Sequence, residues 1–148
     1  MKIYFICTGN TCRSPLAEAL LKNENLPGVE VRSAGIYAMD GQPISANSAR
    51  LLTEAGISFD GFSNELTPAD MQWAQLVLTM TAGHRDTLHR SFPGMKDKIF
   101  TLKEYAGASG GLDVHDPYGG DLATYRETYM ELTELIQTIA RQLSEGKQ

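Results

Sequence analysis

Cysteine is nearly absent: Cys7 and Cys12 are the only two in 148 residues, too few for a disulfide-stapled scaffold. Positive charge is also in deficit. Thirteen Lys and Arg stand against eighteen Asp and Glu, a formal net charge of −5, whereas a protein that grips a nucleic-acid backbone normally presents a basic face. No apolar run approaches the ~18 residues of a membrane-spanning helix. The N-terminal run turns polar at Thr8-Gly9-Asn10, without the apolar core and cleavage site of a signal peptide. Apolar residues at 42% and charged residues at 21% exclude a disordered chain. A chain of this length buries about two-thirds of its unfolded surface and folds without a metal or disulfide. The expectation is one soluble cytoplasmic domain over residues 1–148, monomeric, with neither nucleic acid nor membrane as partner.

What is present alternates. Ile3 to Ile6 is a short apolar run without polar interruption, suited to a strand buried on both faces. Ser14-Pro15 then opens a helix with Pro15 at its first position, where a missing N–H costs nothing. Leu16, Ala19, Leu20 and Asn23 follow at helical spacing, and Pro27-Gly28 ends the segment. Val29 to Arg32 reads as a second strand closed by Ser33-Ala34-Gly35, followed by a loop from Ile36 to Pro43. Ser45 caps a helix through Ala55 with Gly56 as its stop. Thr67-Pro68 opens a short helix carrying Met71 and Trp73, and Leu76 to Met80 is a third strand. A helix from Thr81 to Arg90 and a strand from Ile99 to Leu102 come next, then a Gly-rich loop from Ala106 to Gly111. The last helix, about Leu122 to Leu143, carries a buried stripe of Tyr125, Tyr129, Leu132, Leu135, Ile136 and Ile139. Strands alternating with helices predict a parallel sheet covered on both faces.

The segment between the first strand and first helix, Cys7-Thr8-Gly9-Asn10-Thr11-Cys12-Arg13-Ser14, lies where ligands bind in such a sheet, beyond the carboxyl ends of its strands. Five residues between Cys7 and Arg13 let the loop curl round a tetrahedral anion, with backbone N–H groups inward and a helix N-terminus closing one side. Gly9 removes a side chain at the bend, and the Arg13 guanidinium can hold two phosphate oxygens. The same donors favour a thiolate at Cys7, poised as an in-line nucleophile under a phosphoryl group. A proton carrier is then required. Asp116 is favoured over the nearby Asp113 because Pro117 fixes its backbone exit, and Tyr118 can form a pocket wall. With two Cys, seven Arg and twenty-one Ser plus Thr in the chain, the Cys-five-Arg-Ser/Thr pattern arises by chance only about 0.01 times.

These residues resemble the low-molecular-weight protein tyrosine phosphatases, from Cys7 through Pro15 to Ala17-Glu18, with Ser33-Ala34-Gly35 and Asp116-Pro117-Tyr118. The resemblance covers the whole chain. It implies a flavodoxin-like three-layer sandwich, α/β, whose four-stranded parallel sheet has the order 2-1-3-4. It implies Cys7 as nucleophile, Arg13 as phosphate clamp and Asp116 as general acid and base. Thr8, Gly9, Asn10, Thr11, Cys12 and Ser14 would line the phosphate site, with Ser33 and Tyr118 in support and no metal or other cofactor. Cys12 matches a position able to form a reversible disulfide with the nucleophile. Within the family the chain looks most like the bacterial protein-arginine phosphatases, on Thr11, Lys98 to Tyr105 and Gly119-Gly120. Tyrosine-directed relatives usually carry a larger aliphatic residue at the Thr11 position. A hydroxyl there suits a guanidinium, which presents N–H donors, so phosphorylated proteins bearing phosphoarginine are the expected substrates and phosphotyrosine the alternative. The stretch Phe59 to Asn64 lacks a His that many relatives carry, so another group must supply any hydrogen bond it makes.

Blander assignments hold elsewhere. His84 and His89, five apart, read as surface residues, and His115 as a neighbour able to tune Asp116. Tyr125, Tyr129, Trp73 and the six Met read as packing. Two Cys do not make a zinc site, which normally needs four ligands. Arsenate reduction would need redox thiols beyond Cys7 and Cys12. A phosphocarrier or thiol redox module would have no use for Arg13 and Asp116 together.

Overall fold

The computed structural model describes residues 1–146. Its elements are β1 (Lys2–Cys7), α1 (Arg13–Asn23), β2 (Glu30–Gly35), α2 (Ala46–Glu54), α3 (Pro68–Trp73), β3 (Leu76–Thr79), α4 (Ala82–Ser91), β4 (Ile99–Thr101), α5 (Leu102–Ala106) and α6 (Leu122–Ser144), with a 3₁₀ turn at Pro93–Lys98 before β4. The strands form one parallel sheet in the order β2-β1-β3-β4, as expected. No helix among the described residues is long and apolar enough to cross a membrane.

Alternation along β1 builds the two halves of the core. Ile3, Phe5 and Cys7 join Leu16, Leu20 and Ile136 on the face packed by α1 and α6, while Tyr4 and Ile6 join Met71 and Leu88 on the face packed by α3 and α4. Both faces of the central strand are therefore dry, which is why its sequence shows no polar alternation. Cys7 ends the inward row, so its sulfur emerges where the strand gives way to the loop.

Four local expectations need correction. Pro15 is the third residue of α1, which begins at Arg13; it is still in the first turn, whose N–H groups have no intrahelical acceptor. Ser33-Ala34-Gly35 does not close the second strand but belongs to it, with Gly35 in register beside Cys7. Leu102 starts a helix rather than ending β4. Thr101 and Glu104 form a reciprocal capping box, a pattern visible in the sequence that satisfies two end groups at once. Not all six Met residues pack: Met71 and Met80 are buried, but Met39 and Met130 are exposed.

Candidate active site

The loop from Cys7 to Arg13 is held by a chain of hydrogen bonds whose direction can be followed atom by atom. The backbone N–H of Asn64 donates to Asn10 Oδ1 at 2.8 Å, which fixes the orientation of that amide. Its Nδ2 then donates to Ser14 Oγ at 2.7 Å and to Ser33 Oγ at 2.9 Å. The Ser33 hydroxyl in turn donates to Glu18 Oε1. With one lone pair engaged by Asn10, the Ser14 hydroxyl is free to donate to Cys7 Sγ, 2.8 Å away. The Asn10 backbone N–H reaches the same sulfur at 3.2 Å. Two donors thus converge on Sγ. Asn64 also answers the missing His: the segment from Phe59 to Asn64 supports the loop through its backbone.

Asn10 holds a left-handed φ of 56°, a conformation Asn tolerates better than most side chains. Gly35 permits the loop to lie this close to β2. A Cβ there would stand 2.4 Å from the Thr8 carbonyl oxygen and 2.9 Å from the Asn10 nitrogen. The residues after it brace the loop directly, Ile36 N–H to the Cys7 carbonyl and Tyr37 N–H to the Thr8 carbonyl, both at 3.0 Å.

Arg13, only 4% exposed, begins α1 and donates from Nη1 to the Val114 carbonyl at 3.0 Å. Val114 N–H in turn donates to the Met80 carbonyl at 2.8 Å, anchoring the Asp116 loop to the end of β3. Arg13 Nη2 stands 3.6 Å from Asp116 Oδ2, whose side chain is 50% exposed. Asp113 does not join them. Its Oδ1 accepts from Ala82 N–H at 2.8 Å, stabilising the N-terminus of α4 instead. The two aspartates are therefore separated by their partners, and Asp116 alone faces the cleft. Cys7, Thr8, Gly9, Thr11, Cys12, Arg13, Asp116 and Tyr118 line one cavity of ≈ 210 Å³. A larger depression of ≈ 590 Å³ between α2 and the Gly56–Asp60 segment is lined by no Cys, His, Lys or Arg.

Asn10, Ser14 and Ser33 stand behind the cavity. Tyr118 is 81% exposed at its mouth, with its backbone N–H on Asp116 Oδ1 at 3.0 Å. Cys12 is buried beside Tyr125, with Sγ 3.4 Å from the phenol oxygen. Burial first, then this contact, pushes the phenol up to about 12, and Tyr125 packs in a buried cluster with Cys12 and Leu51 as expected.

The histidines also depart from expectation. His89 is half-buried with Nε2 on the Ile99 carbonyl at 3.1 Å. His84 is half-buried in the first turn of α4 and touches the catalytic loop, Nε2 to Thr8 Oγ1 at 2.9 Å. The ring is pushed down to about 4 by burial and next by Arg13, against Asp113 and Asp116. Its place was legible from topology, because the first turn after β3 lies at the ligand-binding end of the sheet. His115 is exposed, and its carbonyl accepts from Thr128 Oγ1 at 3.3 Å.

The model of the low molecular weight phosphotyrosine protein phosphatase family matches residues 2–148. The chain belongs to that family. A protein-arginine-phosphatase of Geobacillus stearothermophilus is 46% identical over 142 residues, covering 96% of this chain and 95% of the relative. The solved YwlE arginine phosphatase from the same organism superposes with a TM-score of 0.94, at 46% identity, covering 99% of this chain and 94% of that one. The low molecular weight protein-tyrosine-phosphatase PtpB of Staphylococcus aureus is 42% identical, covering 92% of this chain and 94% of the relative. The protein is a cysteine-dependent phosphatase, which leaves its substrate side chain and the parts played by individual residues.

Proposed function

We propose that this phosphatase removes the phosphoryl group from phosphoarginine in proteins through a cysteinyl-phosphate intermediate. The observation that carries the mechanism is the single cavity shared by Cys7, Arg13 and Asp116. Cys7 Sγ attacks phosphorus while Arg13 and the loop N–H groups hold the phosphoryl oxygens. The P–N bond breaks, and the leaving guanidine nitrogen takes a proton from the Asp116 carboxyl. Asp116, now a carboxylate, takes a proton from water, whose oxygen attacks phosphorus. The S–P bond breaks, orthophosphate leaves and the Cys7 thiolate is restored. Ser14 and Asn10 hold the sulfur, and Ser33 holds Asn10. Residues 1–148 act as one catalytic domain, monomeric and in the cytoplasm, in keeping with two free buried thiols.

The preference for arginine is supported by the polar wall and by the activity named for the Geobacillus relative and for the solved Geobacillus structure. Thr11 lines the cavity and offers a hydroxyl to guanidinium N–H groups where an aliphatic side chain would offer contact to a phenyl ring. Paired assays on phosphoarginine and phosphotyrosine peptides test it. Greater kcat/KM on phosphoarginine is expected, with Thr11→Ile moving the ratio toward phosphotyrosine by about tenfold, the worth of one wall contact. Equal or greater turnover of phosphotyrosine by the parent overturns the preference and leaves a tyrosine phosphatase.

Cys12 is proposed to protect the nucleophile. Peroxide converts Cys7 to a sulfenic acid, which condenses with the Cys12 thiol to a disulfide with loss of water. Reductant should restore activity after peroxide in the parent and less in Cys12→Ala. Equal recovery in both removes the role.

A further inference from the structure

His84 lies outside the lining of the catalytic cavity, yet its Nε2 is 2.9 Å from the hydroxyl of Thr8, which lines it. Its other nitrogen, Nδ1, is buried without a partner. That asymmetry sets the tautomer. A stranded N–H inside a protein is rarer than an unmet lone pair, so the proton belongs on Nε2 and is donated to Thr8 Oγ1. One lone pair of the Thr8 oxygen is thereby tied to His84, and the other remains for the cavity.

The ring is placed by two further contacts. Thr81 Oγ1 accepts from His84 N–H at 3.0 Å, capping α4, and Asp113 Oδ1 holds the Ala82 N–H in the same turn. Both contacts fix the backbone from which the ring projects, and the bond to Thr8 holds the ring itself. Thr8 itself is exposed on the wall, above the buried Cys7 and Arg13. That position puts Thr8 beside the part of a substrate that would extend beyond the phosphoryl group. Its cavity neighbours include Thr11 and Asp116, both also able to accept a hydrogen bond.

We propose that His84 is a positioning residue for the leaving group: its Nε2–H fixes the Thr8 hydroxyl so that Oγ1 accepts a hydrogen bond from the guanidinium N–H of a bound phosphoarginine side chain. This rests on the phosphoarginine assignment and adds to Thr11 a second, indirectly held polar group. A neutral ring suits the task. The ring stays uncharged at neutral pH because burial holds its acidity near 4, whereas an imidazolium would set a cation beside a guanidinium. An aryl phosphate offers no N–H to that oxygen, so the contact discriminates between the two leaving groups.

The test compares kcat/KM on a phosphoarginine peptide with that on p-nitrophenyl phosphate, and reads the ratio. Thr8→Val keeps the side chain's shape and removes the acceptor. His84→Phe keeps a ring in the same space and removes both nitrogens, including the unpartnered one. The ratio should fall about fivefold or more in Thr8→Val, the worth of one hydrogen bond, and by a comparable or smaller factor in His84→Phe. The double variant should fall no further than Thr8→Val, because both substitutions break one contact. A purely structural ring would lower both activities together. An unchanged ratio, or losses that multiply in the double variant, overturns the role of His84. Absence of phosphoarginine turnover in the parent overturns it as well, and is distinguished by removing the underlying substrate assignment at the same time.

Discussion

Behind the catalytic loop, Asn10, Ser14 and Ser33 are buried and bonded to one another, and Glu18 closes the chain from α1. In front, Asp116 is half-exposed, its ion pair with Arg13 stretches to 3.6 Å, and Tyr118 projects almost wholly into solvent. The rear has no slack: Gly35 leaves no room for even a methyl group. The front is anchored by backbone, through Val114 to Met80 and Arg13 to Val114, while its working side chain stays half-exposed. Rigidity and chemistry are thus divided. The rear sets where the sulfur sits, and in the proposed mechanism the front supplies a proton carrier that must reach first a leaving group and then a water. Loss of a rear contact should therefore cost both stability and activity, whereas loss of a front side chain should cost activity alone.

The sharpest contrast comes from Asp116→Asn. Removing the proposed general acid and base should lower kcat by about 10²- to 10⁴-fold. The half-exposed ion pair it breaks contributes about 0–1 kcal/mol, so the urea midpoint should hardly move. A variant that loses as much stability as activity would break the division at its front half.

Gly35→Ala probes the rear. The new Cβ must push on the Thr8 carbonyl and Asn10 nitrogen, at 2.4 and 2.9 Å, and neither is a flexible side-chain end. Overpacking of this kind costs about 1–3 kcal/mol, and the displaced loop should also bind orthophosphate or vanadate more weakly. Urea unfolding and vanadate inhibition measure the two effects. A variant as stable and as easily inhibited as the parent would show that the loop tolerates movement.

Which parts of this were legible in the sequence follows from how far each signal reaches. β1 and the loop from Cys7 to Ser14 are local features, a dry apolar run followed by a spaced set of chemically specific residues, and they pointed to the fold and the cavity together. Asp116 rather than Asp113 was chosen on the stiffness of Pro117. The structure separates the two by a different means, the capture of Asp113 at the start of α4. β2 was cut short because Ser33-Ala34-Gly35 has the composition of a turn, and only the packing of Gly35 against the loop explains why it stays extended. α5 was missed although its capping box was present, because the Ile-Phe-Thr-Leu run masked the change of period. Topology places His84 at the ligand-binding end of the sheet, but the specific contacts of His84 and Asn64 were illegible for another reason. Their partners, Thr8 and Asn10, lie 76 and 54 residues away, and periodicity cannot see across such a distance.

His84 tests whether a front residue can be held as firmly as a rear one. In the folded protein its ring is pushed down to about 4, chiefly by burial and then by Arg13, with Asp113 and Asp116 opposing. In the unfolded chain it titrates near 6.5. Above about pH 7 the ring is neutral in both states and makes no difference to stability. As pH falls from there toward 4, the unfolded chain takes up a proton that the folded one refuses, so folding becomes less favourable across that window. Below about 4 both states are protonated and the loss stops growing. The part of the ring that water reaches screens the effect, leaving roughly 1–2 kcal/mol. His84→Gln has no titrating ring, so its stability should fall less steeply than the parent's between pH 7 and 4.5. Urea unfolding at several pH values across that interval gives the two slopes. Parallel curves would mean that the ring is freely solvated, and His84 would then belong with the mobile front rather than with the fixed frame behind it.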